Sequence, residues 1–160
     1  MRSDRHGYTL VELVVYITLL ALLVIFVVNG VIALYRTFSM MRIEQSIVIN
    51  GDGALATIVR ELRSATSITV ASSVLGAHPG TLVTNNKTYT VSSGRLQAQQ
   101  GSVIQPLTGG NVTVTNLQFY RSTATLGTEL VTIRLTIQAG SGVLQRSKKY
   151  YASVLLRGGY

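Results

Sequence analysis

Residues 5–35 read RHGYTLVELVVYITLLALLVIFVVNGVIALY, and they determine how the rest of the chain is interpreted. The last 23 of these positions, Leu13 to Tyr35, contain no Asp, Glu, Lys or Arg and consist mainly of Leu, Val, Ile, Phe and Ala. As an α-helix rising about 1.5 Å per residue, this run is roughly 35 Å long, and the hydrocarbon core of a bilayer is about 30 Å thick. The sequence therefore predicts a membrane-length helix near the N-terminus.

The helical pattern continues beyond Tyr35 and becomes amphipathic. Apolar residues recur three, four or eight positions apart, and charged or amide side chains fill the other faces, which is typical of a helix with one buried stripe. The stripe consists of Ile43, Ile47, Leu55, Ile58, Val59 and Leu62. Gly51 and Gly53 fall inside it and together lower helix propensity by about 2 kcal/mol, so a kink or a loosened turn is predicted there. Gly30 is a second weak point.

After Ser64 the apolar period becomes two, which indicates half-buried β-strands. The clearest alternation is at Leu130–Gln138, and the alternation over 112–119 slips near Asn116, which suggests a β-bulge. The Asn85-Asn86 pair, which tolerates positive φ, predicts a tight hairpin turn. A further turn is predicted at Ser92-Ser93-Gly94, and further strands at 66–71, 81–84, 87–91, 95–99 and 150–156.

The two patterns together predict an α+β fold. We expect a helix from about Tyr8 to Leu62, with its second half packed on an antiparallel sheet of roughly five to seven strands. Residues 1–7 are short, polar and mildly basic, so they are interpreted as a leader and not as part of the fold.

The formal net charge is +8, and most of the excess lies in the second part of the chain. Residues 64–160 contain eight Lys or Arg and one acid, Glu129. Such a surface favours anionic partners, whether nucleic acid, lipid headgroups or wall polymers. The plainer alternative is that the charge serves solubility or pairs with acidic neighbours in an assembly.

One basic cluster is a candidate anion-binding site. Arg146, Lys148 and Lys149 stand beside Tyr150 and Tyr151, and cations next to aromatic rings suit the phosphates and bases of single-stranded DNA. The alternative is a solvated strand start whose tyrosines pack on the sheet.

The residues needed for catalysis or for a metal site are scarce. The chain has no cysteine, so disulfides and thiolate chemistry are excluded. Residues 64–160 contain one histidine, His78, and one carboxylate, Glu129, which leaves no paired carboxylates and few calcium ligands. We expect neither an enzyme nor a cofactor or metal site.

The segment Arg5-His6-Gly7-Tyr8-Thr9-Leu10-Val11-Glu12-Leu13 has a specific arrangement. A glycine ends a short charged segment, an apolar helix follows, and one carboxylate lies five residues after the glycine. Over residues 5–28 this resembles the prepilin signature of type IV pilins and type II secretion pseudopilins. The resemblance implies that a membrane-embedded prepilin peptidase cuts after Gly7 and methylates the amine of Tyr8, and that Glu12 is the assembly carboxylate. The family usually has Phe after the cut, and Tyr8 keeps an aromatic ring there.

Physical chemistry gives independent reasons for these residue types. Glycine lets a protease hold the extended backbone closely. A charge inside a spanning helix is unfavourable by about 2.5–3.5 kcal/mol on insertion scales, so Glu12 is expected to have a function. When apolar helices stack inward, the terminal amine of one subunit enters a dry core, where a neighbouring carboxylate can neutralise it. The alternative for Glu12 is a residue that snorkels to the membrane edge.

The resemblance also implies how the chain is organised and where it works. Residues 1–7 would be the leader, 8–35 the transmembrane and assembly helix, 36–63 its amphipathic half and 64–160 a β-rich head, in a lollipop arrangement. The implied function is a structural subunit, minor rather than major, of a type IV pilus or pseudopilus. Its partners would be other pilin subunits, the peptidase and the cytoplasmic membrane, with DNA or another polyanion as an additional candidate. It would be a single-pass membrane protein before assembly and part of an extracellular or periplasmic filament afterwards.

Two other interpretations of the N-terminus remain open. In the first, an ordinary signal peptide is cleaved after Ala33 and releases a secreted, basic, β-rich binding domain. The apolar run is long for that purpose, and the helical stripe continues past Arg36. In the second, the helix is an uncleaved anchor, and the charges on its two sides, Arg2 and Arg5 against Arg36 and Arg42, do not fix its orientation.

Overall fold

The computed structural model describes residues 9–123 and 129–156. The chain divides into two compact units, Met1–Met40 and Met41–Tyr160. One helix, α1, covers Leu10–Ser64, and within the described residues the strands are confined to the second unit. The predicted α+β class, a long N-terminal helix followed by antiparallel β-structure, is confirmed.

Helix α1 is continuous through its glycines. The residues of Gly51–Gly53 and Gly30 are all α-helical, so the loosened turn is wrong, and the alternative of a kink stays a prediction. Neighbouring helical residues and tertiary packing override the low propensity of two glycines. At Gly51 the missing side chain has a packing role, described below.

The strands form two sheets, whereas the sequence analysis predicted one. The first sheet has the order β1-β2-β3-β4 and the second has the order β5-β6-β7, and every pairing is antiparallel. The bounds are β1 Leu82–Val83, β2 Thr88–Ser92, β3 Arg95–Gln100, β4 Val103–Pro106, β5 Thr113–Thr123, β6 Glu129–Ala139 and β7 Arg146–Leu155. Strand β4 was not predicted because its four residues are all exposed and lack an alternating pattern.

The predicted strand at 66–71 is also wrong. Ile68 makes one isolated antiparallel bridge to Thr84, and Val70–Ser72 form a single turn of 3-10 helix. The N–H of Thr69 donates to the carbonyl of Val83 at 2.9 Å, so this segment lies along β1 without becoming a strand.

The predicted turns form, but one of them differs in its backbone. Thr84 and Lys87 close the β1–β2 hairpin around Asn85-Asn86, and neither asparagine has a positive φ. The β2–β3 turn does require left-handed backbone, with φ 50° at Ser93 and 72° at Gly94. The predicted bulge is confirmed, because the β5–β6 register shifts between Val114 and Asn116.

The core of the second unit joins the later part of α1 to both sheets. The buried face of β6 alternates as predicted, with Val131, Ile133, Leu135 and Ile137 at most 1 % exposed. Buried residues of α1 recur every three or four positions, which is the period of one helical face. They are Ile47, Gly51, Ala54, Ile58 and Leu62. Three of the six predicted stripe residues are therefore fully buried, and Ile43, Leu55 and Val59 pack at the margin of the core.

Candidate functional site

The first turn of α1 is capped by the residue before it. The N–H of Glu12 donates to Oγ1 of Thr9 at 3.3 Å, and the N–H of Leu13 donates to the Thr9 carbonyl at 3.1 Å. A threonine in this position satisfies helix N–H groups that have no partner within the helix. The carboxylate of Glu12 lies in this first turn, where the positive end of the helix dipole favours an acid.

The helix that follows exposes apolar side chains on all sides within the first unit. Its most apolar 18-residue window has a mean hydropathy of 2.9, and none of that window is buried. Phe26, for example, is 81 % exposed. By length and composition α1 can cross a membrane, although a signal sequence near an N-terminus would meet the same criterion. Such a surface needs a cover of lipid or of other apolar helices.

Gly7 and Tyr8, the predicted cleavage pair, lie outside the described residues. Glu12 is four positions after Tyr8, and Leu13–Tyr35 follow it without another charge. Glu12 is consequently the single formal charge of the helix from Leu10 to Tyr35, as the sequence indicated.

The candidate anion-binding cluster is divided between the two faces of β7. Lys148 pairs in register with Ile137 and Arg146 with Ala139, and both of these partners are core residues. Lys148 and Arg146 therefore lie on the helix side of the sheet, where Lys148 Nζ is 5.3 Å from the ring centroid of Tyr150. Lys149 lies on the opposite, outer face.

The outer face of the β5–β6–β7 sheet places Lys149 near residues that the sequence analysis had not grouped with it. Arg134 lies directly across from Tyr151 in register, and its guanidinium is 4.7 Å from the ring centroid of Tyr120. Tyr151 is 63 % exposed. Two cations, Lys149 and Arg134, and the exposed ring of Tyr151 thus share the outer face of this sheet. The period-two pattern contained this information, but the grouping required the strand register.

A second polar cluster ties the end of α1 to β2. Nζ of Lys87 is 2.7 Å from Oε1 of Glu61, and the hydroxyl of Tyr89 donates to Oε2 of the same carboxylate. Partial burial by itself would raise the pKa of Glu61, but the hydrogen bonds from Lys87 and Tyr89 outweigh it and hold that pKa below its usual value. Burial first, and then the carboxylate, raise the pKa of Tyr89.

Gly51 leaves room for the ring of Tyr150, in β7, to lie against α1. A Cβ at this glycine would lie 2.2 Å from Cζ of Tyr150, so the ring occupies the space that a side chain would need. The hydroxyl of Tyr150 donates to the carbonyl of Ile47 at 2.9 Å. The sequence analysis interpreted Gly51 as a weakness of the helix. The signal it missed is that Gly51 and Ala54 continue the buried stripe between Ile47 and Ile58.

Comparison with known families identifies the N-terminal segment. Residues 2–28 match the family model of the prokaryotic N-terminal methylation motif. This motif is the prepilin-type signal of type IV pilins and pseudopilins. The resemblance found over residues 5–28 is thereby confirmed. Searches of curated proteins and of solved structures found no match to the chain.

The motif carries coarse functional implications for the whole chain. A prepilin-type signal implies processing by a prepilin peptidase and assembly with other pilins. Together with the apolar helix it indicates a membrane-anchored protein.

Proposed function

We propose that this protein is a structural subunit of a type IV pilus or pseudopilus, minor rather than major, and that it is not an enzyme. The observation that carries the proposal is the methylation motif at residues 2–28, which runs directly into a helix with apolar side chains exposed on all sides. The motif supplies a processing signal, and the helix supplies a surface that lipid covers first and neighbouring subunits cover later.

In this proposal the peptidase removes residues 1–7 and methylates the amine of Tyr8. The mature helix then leaves the bilayer and packs against the helices of other subunits. Its N-terminal cation would be desolvated there, and an unpaired buried charge is strongly unfavourable. Glu12 of a neighbouring subunit provides the counter-charge. The preference for a minor subunit comes from the basic, β-rich second unit and from the absence of cysteine in the sequence.

The test is the intact mass and the N-terminal residue of the mature chain, purified from native membranes. We expect a chain that begins with N-methylated Tyr8. Replacing Gly7 with a bulky residue should leave the full-length precursor in the membrane. A mature chain that begins at Leu34 would instead establish the signal-peptide alternative, and a native chain that keeps Met1 would establish the uncleaved anchor.

A second candidate function, polyanion binding, is favoured by the outer face of the β5–β6–β7 sheet. Arg134, Lys149 and the exposed ring of Tyr151 lie together there, and stacking with phosphate contact suits single-stranded nucleic acid. In a mobility-shift assay over a salt series, Lys149→Gln and Tyr151→Ala should each weaken binding, whereas Lys148→Gln, on the other face, should change it less. Equal effects of the two lysine variants would show that the net charge, and not this face, holds the polyanion.

A further inference from the structure

The connection between β6 and β7 lies at one end of the second unit. Strand β7 runs in the same direction as α1: Arg146 lines a cleft with Glu44, and four residues later Tyr150 contacts the helix at Ile47 and Gly51. The residues before Arg146 therefore lie level with the first helical turns of the unit. Consistent with this, a Cβ at Gly140 would be 2.9 Å from Cδ1 of Ile43. We refer to Gly140–Gln145 as the β6–β7 tip.

The β6–β7 tip presents a bare apolar side chain on a tightly folded backbone. Val143 is 91 % exposed, more than any other large apolar residue in the described part of the chain. Gly140 and Gly142 adopt φ values of 82° and 56°, a region that strongly favours glycine. Met41, in the first helical turn of the unit, is also well exposed.

Positive charge surrounds this apolar tip. Arg42 and Lys148 are exposed at the same end of the unit, and Lys148 lines a cleft with Arg146 and the carboxylate of Glu44. Basic residues close to an anionic leaflet each favour binding, and an exposed apolar side chain favours the boundary between headgroups and acyl chains.

Chain connectivity keeps this end of the unit close to the bilayer. The uncharged run ends at Tyr35, and the second unit begins six residues later, at Met41. Six residues span about 9 Å as a helix and at most about 20 Å when extended. If α1 crosses the membrane, this short connection limits how far the first helical turns of the second unit can lie from the headgroup layer.

We propose that the β6–β7 tip, with Arg42 and Lys148, is a docking surface for an anionic lipid bilayer. Val143 inserts among the headgroups, and the cations contact lipid phosphates. The surface holds the second unit against the membrane before the chain enters an assembly. This proposal requires only that α1 spans a bilayer. It can therefore be tested independently of cleavage at Gly7 and of filament formation.

The absence of tryptophan from the sequence permits a direct test. The full chain is reconstituted in nanodiscs with Val143→Trp as its single tryptophan, and its emission is measured with lipids brominated in the acyl chains. The matched control is Val103→Trp. Val103 is 67 % exposed and pairs with Gln100, which lines a cleft with Glu61 and Ser64 at the far end of α1.

In bilayers with anionic lipid we expect brominated lipids to quench the emission at position 143 at least twofold and to leave the emission at 103 unchanged. The quenching at 143 should fall several-fold in purely zwitterionic bilayers or at high salt, which screens the attraction. Equal emission with and without bromine at position 143 would overturn the proposal. Equal quenching at 143 and 103, or quenching that does not depend on lipid charge, would overturn it as well.

A matched pair of charge variants, made in the Val143→Trp chain, tests the cations. Arg42→Gln and Arg63→Gln each remove one exposed arginine from α1, and the two sites are 21 residues apart, about 32 Å along the helix. Each cation near an anionic surface favours binding by about fivefold, so Arg42→Gln should lower the ratio of docked to undocked chains by about that factor. Arg63→Gln should have no effect. If the two variants behave alike, the charge does not act at this end of the unit and the proposal fails.

Discussion

The two halves of α1 use apolar residues in different ways. From Leu10 to Phe38 the large apolar side chains surround the helix and are exposed, whereas between Ile43 and Leu62 most of them form one stripe that packs in or against the core, and Ile49 is an exposed exception. The buried stripe also contains Gly51 and Ala54, whereas a Cβ at Gly30, in the exposed half, would have no atom within 4 Å. Burial inside the chain thus stabilises the second half, and the first half needs a cover of lipid or of other apolar helices.

This difference explains where single charges and single glycines matter. In the first half the carboxylate of Glu12 is expected to need a partner outside the chain, because nothing in the described residues neutralises or covers it. In the second half a glycine is meaningful where a ring lies against it, as at Gly51, and not where space is open, as at Gly53.

The largest effect is expected for Glu12→Ala, which acts on the exposed half alone. Cleavage after Gly7 should persist, because the peptidase acts on the chain around that glycine. Assembly should be lost, since leaving one partner of a buried ion pair alone is unfavourable by about 3–5 kcal/mol. The measurement is a blot of the membrane fraction and of the sheared filament fraction, with the variant as the only copy.

The control for this experiment is Glu44→Ala, which removes the next acid of the same helix from an exposed position in the second unit. It should enter the filament fraction in normal amounts. Normal amounts of Glu12→Ala in that fraction would show that Glu12 is not the assembly carboxylate. A subunit at a filament tip, with no neighbour above it, would also give this result. Such a result would therefore argue against the ion pair between Glu12 and the Tyr8 amine, and less strongly against the assignment to pilins.

A cut between the two halves is the next test. A fragment that begins at Arg36 lacks the exposed apolar run but keeps the buried stripe and both sheets. We expect it to fold as a soluble monomer with mixed helix and strand, because the sheets already cover its apolar stripe. Circular dichroism and size-exclusion chromatography without detergent would check this. A fragment that stays soluble only in detergent would place the boundary between the halves later than Arg36.

Two glycine substitutions in this fragment should have opposite signs. In Gly51→Ala the new Cβ would collide with the Tyr150 ring, and overpacking together with the lost hydroxyl bond to Ile47 should lower the free energy of unfolding by about 2–4 kcal/mol. Gly53 has no atom within 4 Å of a built Cβ, so Gly53→Ala should raise it by about 0.5–1 kcal/mol through helix propensity. Urea unfolding measures both, and two variants of equal sign would show that propensity alone governs this stretch.

The sequence alone predicts correctly those elements in which apolar residues recur with a single period. The apolar run of α1, the alternation of β6 and the slip at Asn116 are local patterns, and the structure confirms each of them. The methylation motif is local as well, and it carried the functional interpretation.

The sequence failed where a residue's role depends on a distant partner. The role of Gly51 is set by Tyr150, which is 99 positions away, and the grouping of Lys149 with Arg134 depends on the β6–β7 register. The division into two sheets depends on which strands pair, and the exposed residues of β4 show no pattern that would reveal a partner. Period and propensity contain no information of this kind.

The smallest effect is expected for the cluster of Glu61, Lys87 and Tyr89, which fixes the end of the buried half. Because the folded pKa of Glu61 lies below its ordinary value of 4.5, its contribution is complete above that value and is lost as the pH falls through the folded pKa. Because the folded pKa of Tyr89 is raised above 10.0, stability should also decline once the pH exceeds that value, where the unfolded chain loses the phenolic proton. The pair is partly solvated, so the acid-side loss should be at most about 1 kcal/mol.

Tyr89→Phe should flatten the dependence of the fragment's stability on pH on both the acid and the alkaline side. The control is Tyr150→Phe, because the Tyr150 hydroxyl donates to a backbone carbonyl and not to a carboxylate. This control should alter the alkaline side and leave the acid side as it was. Urea titrations between pH 3 and 11 would measure this, and an unchanged acid limb in Tyr89→Phe would show that the hydroxyl does not hold the Glu61 carboxylate in solution.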